Sequence, residues 1–236
     1  MSFLINSIEF KDVSFAFEGE ESVLQNANCS FPMGEIISLR GERGAGRSTL
    51  LQLLAGLQVP NQGRIEIDGL NVSEMSFDEF LPYRLKIGYA FDLGGLLSNR
   101  TISENLLLPL NYHKLCSPQE AAERVNYYIN RFSLQKAADV RPANVSGGVR
   151  KLACLVRALL IEPELILLDD MTVGLSKGVI ETYCQSIDDL RKAGKTHTVI
   201  FSSYDELFSS QFETVSLFLE GGQIYQHTIE KRAVSL

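Results

Sequence analysis

The sequence predicts an α/β fold built on a mostly parallel sheet with helices on both sides. Three observations carry that prediction. Short apolar strands alternate with helical stretches along the chain. A compact strand, EIISLR (Glu35 to Arg40), runs straight into a glycine-rich turn and then a helix. Further on, ELILLDD (Glu164 to Asp170) is the unbroken apolar run of a strand buried on both faces.

The elements follow in order. Ile8, Phe10, Val13, Phe15 and Phe17 alternate as a half-buried strand does, and Val23 to Phe31 reads as its neighbour. After the glycine-rich turn, STLLQLLAGL has helical spacing and is stopped by Pro60 and Gly63. RIEIDG (Arg64 to Gly69) and KIGYAF (Lys86 to Phe91) are further strands. From Thr101 to Phe132 the character changes: ISENLLLPL and PQEAAERVNYYINRF place apolar residues at helical intervals. A helix from Ser146 to about Leu160, one from about Gly178 to Arg191, the strand HTVIFSS and a closing pair SLFLEGGQIYQ complete the series. We read residues 1–236 as a single domain, with a core over 1–91 and 162–236 and a helical part over 92–161.

A chain of 236 residues buries a sizeable core. Its 45% apolar and 22% charged residues are ordinary for a globular protein. A net charge of -7 argues against nucleic acid or an anionic membrane surface as the main partner while leaving room for a local basic pocket. The first residues, MSFLINSIEF, lack the basic start and long apolar run of a signal peptide. No window approaches the roughly 18 apolar residues of a spanning helix. Cys29, Cys116, Cys154 and Cys184 are scattered without a CxxC pair and read as small hydrophobes of a reducing compartment. His113, His197 and His227 are equally dispersed, so no metal cluster is read from them.

The strongest chemical signal is GERGAGRS, Gly41 to Ser48. Its spacing is that of the phosphate loop G-x-x-x-x-G-K-[ST], with Arg47 in the lysine position. Glycines let successive backbone N–H groups turn toward a phosphate, and the following helix N-terminus adds partial positive charge. Ser48 would offer its hydroxyl to Mg²⁺. Arg47 keeps the charge, but a planar guanidinium does not reproduce a compact ammonium between phosphates. Asp169, at the C-terminal end of the ELILLDD strand, is the carboxylate that such enzymes turn toward Mg²⁺.

The run VSGGVRKLACLVRALLIEPELILLDD, Val145 to Asp170, resembles the signature and Walker B segments of the ABC ATPases, with Arg157, Ala158 and Pro163 in register. The resemblance extends over essentially the whole chain, every marker in family order. It implies a P-loop NTPase of the ABC ATPase fold: a RecA-like core, an N-terminal antiparallel β subdomain and a helical subdomain. It also implies ATP and Mg²⁺ as ligands. By position, Phe17 would stack on adenine. Gly41, Gly44, Ala45, Gly46, Arg47, Ser48 and Thr49 would cradle the phosphates, and Asp169 with Ser48 would hold Mg²⁺. Ser146, Gly147 and Gly148 would reach the γ-phosphate of a second ABC ATPase subunit across a head-to-tail dimer, and membrane permease subunits would complete the transporter. That places the chain on the cytoplasmic face of a membrane. Within the family, GGLLSN, TISENLLLPL and SGG-Val-Arg-Lys resemble the lipid-trafficking Mla/Mce-type ATPases.

Five positions depart from the family pattern. Arg47 replaces lysine, Asp92 in YAFDLGG replaces glutamine, Asp170 replaces the catalytic glutamate, Ser176 replaces an aspartate and Tyr204 in FSSYDE replaces the switch histidine. Asp170 is one methylene short, and a misplacement near 1 Å costs about 100-fold in rate. Asp92 brings negative charge to a position that is neutral in the family, and Tyr204 lacks the near-neutral titration of imidazole. The signature half keeps Ser146, Gly147 and Gly148. The resemblance therefore implies a nucleotide-holding subunit that hydrolyses poorly and completes a partner's site. A slow homodimeric ATPase and a nucleotide-sensing module outside transport both stay open.

Overall fold

The computed structural model describes residues 4–92 and 95–227, the last of these by its backbone only. The opening MSF, the Gly94 that begins GGLLSN and the residues after 227 lie outside the described residues. Contacts divide the chain into two compact units, residues 1–80 with 198–236, and residues 81–197.

The first unit carries two sheets. The strands β1 (Ile8–Ala16), β2 (Ser22–Ser30), β4 (Gln62–Ile67) and β5 (Leu70–Asn71) form an antiparallel sheet in the order β2-β1-β4-β5. Alternation along β1 buries Ile8, Phe10, Val13 and Phe15, and the Phe10 and Phe31 rings meet edge to face at 5.2 Å. Beside it, β3 (Ile36–Arg40) lies between and parallel to β8 (Thr198–Ser202) and β9 (Val215–Glu220). The last strand, β10 (Gln223–His227), pairs antiparallel with β9. The Gln25 N–H donates to the Gly222 carbonyl at 2.9 Å, joining β2 to the turn before β10. Ile37, Leu39, Val199, Ile200 and Phe201 are all but fully buried, as expected for strands covered on both faces.

Helix α1 (Arg47–Leu54) follows β3 through the glycine-rich turn and ends at Ala55, ahead of Pro60. Helix α7 (Glu206–Phe212), capped by the Asp205 carboxylate, has no long periodic run to announce it. Neither does α2 (Phe77–Arg84), which carries Pro82 and buries none of its side chains.

The second unit is mainly helical. It holds α3 (Ile102–Tyr112), α4 (Pro118–Arg131), α5 (Gly147–Leu160) and α6 (Lys177–Lys192), with the parallel pair β6 (Ile87–Ala90) and β7 (Leu165–Leu168). Thr101 and Glu104 make a reciprocal capping box at the start of α3. Ser117 caps α4, with Pro118 in the first turn, where its missing N–H costs nothing. The fully buried Asn105 amide ties the preceding loop down: it accepts from the Leu97 N–H at 2.7 Å and donates to the Leu97 carbonyl at 3.1 Å. The Tyr183 hydroxyl, deep in the same core, donates to the Leu155 carbonyl at 3.0 Å and fixes α6 against α5.

The alternating strands, the helix-rich middle and the buried ELILL strand stand where the sequence predicts them. No helix among the described residues is long and apolar enough to cross a membrane. All four cysteines are free thiols, Cys154 fully buried and the others half-buried. The contact division at 80 and 197 differs from the sequence-drawn division at 91 and 161.

Candidate functional site

In the first unit, Gly41 to Ser48 connects β3 to α1. Three of its glycines adopt positive φ: Gly41 at 147°, Gly44 at 84° and Gly46 at 97°. At Gly46 the turn requires glycine twice over, since a Cβ there would also run into Val23 Cγ1. Gly46 leads into α1 without a side-chain cap, and the first turn of α1 carries no acidic residue. A helix N-terminus without acidic residues presents partial positive charge toward an anion.

The loop borders a cavity of about 760 Å³, within the usual range for a small-molecule site. Gly41, Gly44, Ala45 and Arg47 line it, together with Tyr204. Arg47 is 9% exposed. Its guanidinium lies 4.2 Å from the centre of the Tyr204 ring, and Nη1 reaches the Ser203 carbonyl at 3.4 Å. The Arg43 guanidinium lies over the same ring at 4.9 Å. Arg40, also in the lining, is held elsewhere by Glu213 at 2.5 Å, a carboxylate whose side chain is almost fully buried. Two of the departures from the family pattern, Arg47 and Tyr204, are thus in contact with each other.

The remaining candidates of this unit stand around the cavity lining and outside it. Ser48 is exposed and Thr49 buried in the first turn of α1. Phe17 follows β1, half-exposed, its ring edge-on to Phe15 at 5.0 Å, and does not line the cavity.

The second unit holds the rest. Asp169 and Asp170 follow β7 and are both buried, at 5% and 9% exposure. Asp169 donates its N–H to the Ala90 carbonyl at 3.0 Å, which locks the end of β7 to β6. Asp170 takes a left-handed backbone, φ 49°, a conformation aspartate tolerates better than most residues. Burial, then the Asp169 carboxylate, push the Tyr89 phenol above its ordinary value. The Tyr89 hydroxyl is buried with no hydrogen-bond partner among the described residues.

Asp92 stands just past β6, and its carboxylate meets the Lys151 ammonium at 3.2 Å. Lys151 is a buried cation that also donates to the Asp169 carbonyl at 2.7 Å and the Asp92 carbonyl at 3.2 Å. The negative charge that Asp92 introduces is therefore offset inside this unit. Sequence reasoning did not assign Lys151 this role. Its signal was a lysine at the head of the apolar run of α5, Lys151 to Leu160, which is buried almost throughout.

Ser146 caps α5, its hydroxyl accepting the Val149 N–H at 3.3 Å. Ser146 and Gly147 are exposed, so the SGG turn is presented to solvent. Gly148 packs tightly, since a Cβ there would stand 2.8 Å from the Gly174 carbonyl oxygen. Ser176 is exposed at the start of α6 and makes no side-chain capping bond.

Comparison with known proteins gives concordant findings. The ABC transporter family model matches residues 24–173. The intermembrane phospholipid transport system ATP-binding protein MlaF of Escherichia coli strain K12 is 30% identical over 205 residues, covering 86% of this chain and 76% of that protein. The methionine import ATP-binding protein MetN of Brucella abortus strain 2308 is 32% identical over 199 residues, covering 84% of this chain and 53% of that longer protein. Among solved structures, the dimeric ATP-binding cassette MJ0796 in a post-hydrolysis state bound to ADP and Pi matches with a TM-score of 0.82 at 27% identity. That match covers 94% of this chain and 98% of the cassette. The dimeric structure of the same bacterial cassette gives a TM-score of 0.84 at 28% identity over the same shares.

Proposed function

The chain belongs to the ABC transporter family, and from that premise we propose that it is a transporter's ATP-binding subunit whose own site holds nucleotide and hydrolyses it poorly. Its SGG turn completes the active site of a second ABC ATPase subunit. The observation that carries this reading is the Arg47–Tyr204 contact. At the two positions where the family has a lysine and a histidine, this chain has a guanidinium stacked on a phenol.

The residues of the loop suit a nucleotide. Backbone N–H groups of the glycine turn and of α1, with Arg47, supply positive potential for phosphates. The resemblance assigns Mg²⁺ to Ser48 and Asp169. Ser48 and Asp169 offer hard oxygen ligands, and Mg²⁺ takes few protein ligands beside substrate phosphates and water. Bound there, the ion would neutralise phosphate charge. Asp170 carries a carboxylate one methylene shorter than the glutamate of the pattern, and Tyr204 puts a phenol where the pattern has an imidazole. Binding groups are kept while hydrolytic groups are changed.

The partners follow from the same reading: a second ATPase subunit and membrane permease subunits, with this chain peripheral on the cytoplasmic face. The likeness to a phospholipid transport ATP-binding protein, with the GGLLSN and SGG-Val-Arg-Lys segments, supports a lipid cargo. The test is to purify the chain alone and together with the products of its neighbouring genes, measuring nucleotide occupancy and turnover in each. Occupancy in both and turnover only in the complex is the expected result. Turnover by the isolated chain at the rate of an ordinary ABC ATPase overturns the reading and favours a working homodimer. Failure to co-purify with any polytopic membrane protein favours a module outside transport.

A further inference from the structure

We propose that Tyr204 is a positioning residue that holds Arg43 and Arg47 as a paired guanidinium clamp, and that this clamp takes the polyphosphate chain of a nucleoside triphosphate. The inference rests on the reading of Gly41 to Ser48 as a phosphate site and adds to it how this chain, with a changed residue set, grips its ligand.

Both guanidinium groups lie within cation–π range of one ring, Arg47 at 4.2 Å and Arg43 at 4.9 Å. Arg47 is fixed at a second point by the Ser203 carbonyl at 3.4 Å. It is largely desolvated, at 9% exposure, which is where a stacked aromatic face contributes most to holding a cation. Among the described residues neither Arg43 nor Arg47 has an acidic side chain within ion-pairing distance, whereas Arg40 in the same lining is tied to Glu213. Both groups carry positive charge, at 4.2 and 4.9 Å from the same ring centre, so an anion held by the loop would be attracted by each. A guanidinium presents its N–H donors as a planar fork that matches phosphate oxygens in pairs, which an ammonium does not.

An imidazole at position 204 would serve this pair badly, since protonation would place a third positive charge beside two others. A phenol ring offers an electron-rich face to both guanidinium groups. The residues at 47 and 204, both departures from the family pattern, thus meet each other, a guanidinium over a phenol ring.

Calorimetric titration of the full chain with ATP, and with inorganic tripolyphosphate as a base-free probe, tests this. Tyr204→Ala is expected to weaken both ligands about tenfold, the loss of roughly one well-formed cation–π contact or two exposed ones. Tyr204→Phe keeps the ring and is expected to rescue affinity to within about twofold. In an Arg43→Ala/Arg47→Ala background, Tyr204→Ala should add no further loss. The chain contains no tryptophan, so Tyr204→Trp installs a single fluorescent reporter in the clamp. Its emission should change on tripolyphosphate addition and stay constant when both arginines are alanine. Tyr204 is 47% exposed, and unchanged thermal melts will confirm that each variant is folded. Binding of ATP by the parent chain with Tyr204→Ala unaffected overturns the clamp alone. Equal loss from Tyr204→Phe and Tyr204→Ala assigns the effect to the hydroxyl and also overturns it. No binding of either ligand by the parent chain overturns the phosphate-site reading and the clamp together.

Discussion

The Lys151 ammonium lies 3.2 Å from the Asp92 carboxylate and 2.7 Å from the Asp169 carbonyl oxygen, so one buried cation ties the segment after β6 to the segment after β7. The Asp92 and Phe91 carbonyls, at 3.2 and 3.4 Å, complete the acceptors around it. Lys151→Met keeps much of the apolar stem and leaves the carbonyl of Asp169 without this donor. Hydrogen bonds to a charged group contribute about 1.5–3 kcal/mol, and we expect a loss in that range. Asp92→Asn should cost less, under about 1 kcal/mol, because its carboxylate is 39% exposed and solvent screens the pair. Urea denaturation with unchanged slope checks both. Equal costs for the two variants would mean that the ion pair, and not the backbone carbonyl, is what Lys151 holds.

Two thiols make stability fall at alkaline pH. Burial pushes Cys29 and Cys184 up to about 12, from 9.0, with Asp188 adding to the effect at Cys184. A folded value above the unfolded one favours the protonated thiol in the native state. The stabilisation is fully present below pH 9 and is lost between about 9 and 12, as the unfolded chain deprotonates first. Each thiol contributes a slope near 1.4 kcal/mol per pH unit in that window. The urea midpoint should drop from pH 8 to pH 10, and Cys29→Ala/Cys184→Ala should flatten the drop. An unchanged slope in the double variant would assign it to other groups. The same thiols should resist thiol reagents in the native protein at pH 8.

Gly46 links the fold to the site. Gly46→Ala meets both a left-handed backbone, φ 97°, and the Val23 side chain. We expect a loss of about 1–3 kcal/mol and a distorted entry to α1. Adding Val23→Ala removes the collision and leaves the backbone strain, so stability should recover only in part. Thermal melts and ATP titration on the single and double variants check this. Full recovery would show that the collision alone makes glycine necessary.

The fold was legible where a local pattern and a burial requirement coincide. EIISLR, ELILLDD and HTVIFSS each centre on a run rich in apolar residues because they become β3, β7 and β8, buried along almost their entire length. The short α2 and α7 escaped notice because α2 buries no side chain and α7 buries only Ser209, which leaves little periodicity to read. The glycine-rich turn from Gly41 to Ser48 was legible from spacing alone, since glycines at positive φ leave a sequence trace. The Arg47–Tyr204 contact and the role of Lys151 were not. Each joins residues far apart in the chain, 47 to 204 and 92 to 151, and no local pattern encodes such a pairing.

Ser146 and Asp170 separate the two halves of the proposed function. Ser146 is both the cap of α5 and the first residue of an exposed SGG turn. Ser146→Asn keeps a capping side chain and isolates the turn from helix stability, whereas Ser146→Ala should lose about 1 kcal/mol of cap. Ser146→Arg adds bulk and charge where a partner's nucleotide would meet the turn. In a complex with the second ATPase subunit, Ser146→Arg should abolish turnover, while Asp170→Ala should change it little, since the proposed function assigns little hydrolysis to this chain's own site. Steady-state phosphate release from the purified complex measures both. Comparable losses from the two variants would show that the site containing Asp170 hydrolyses ATP after all, and a near-normal rate with Ser146→Arg would remove the signature turn from the partner's active site.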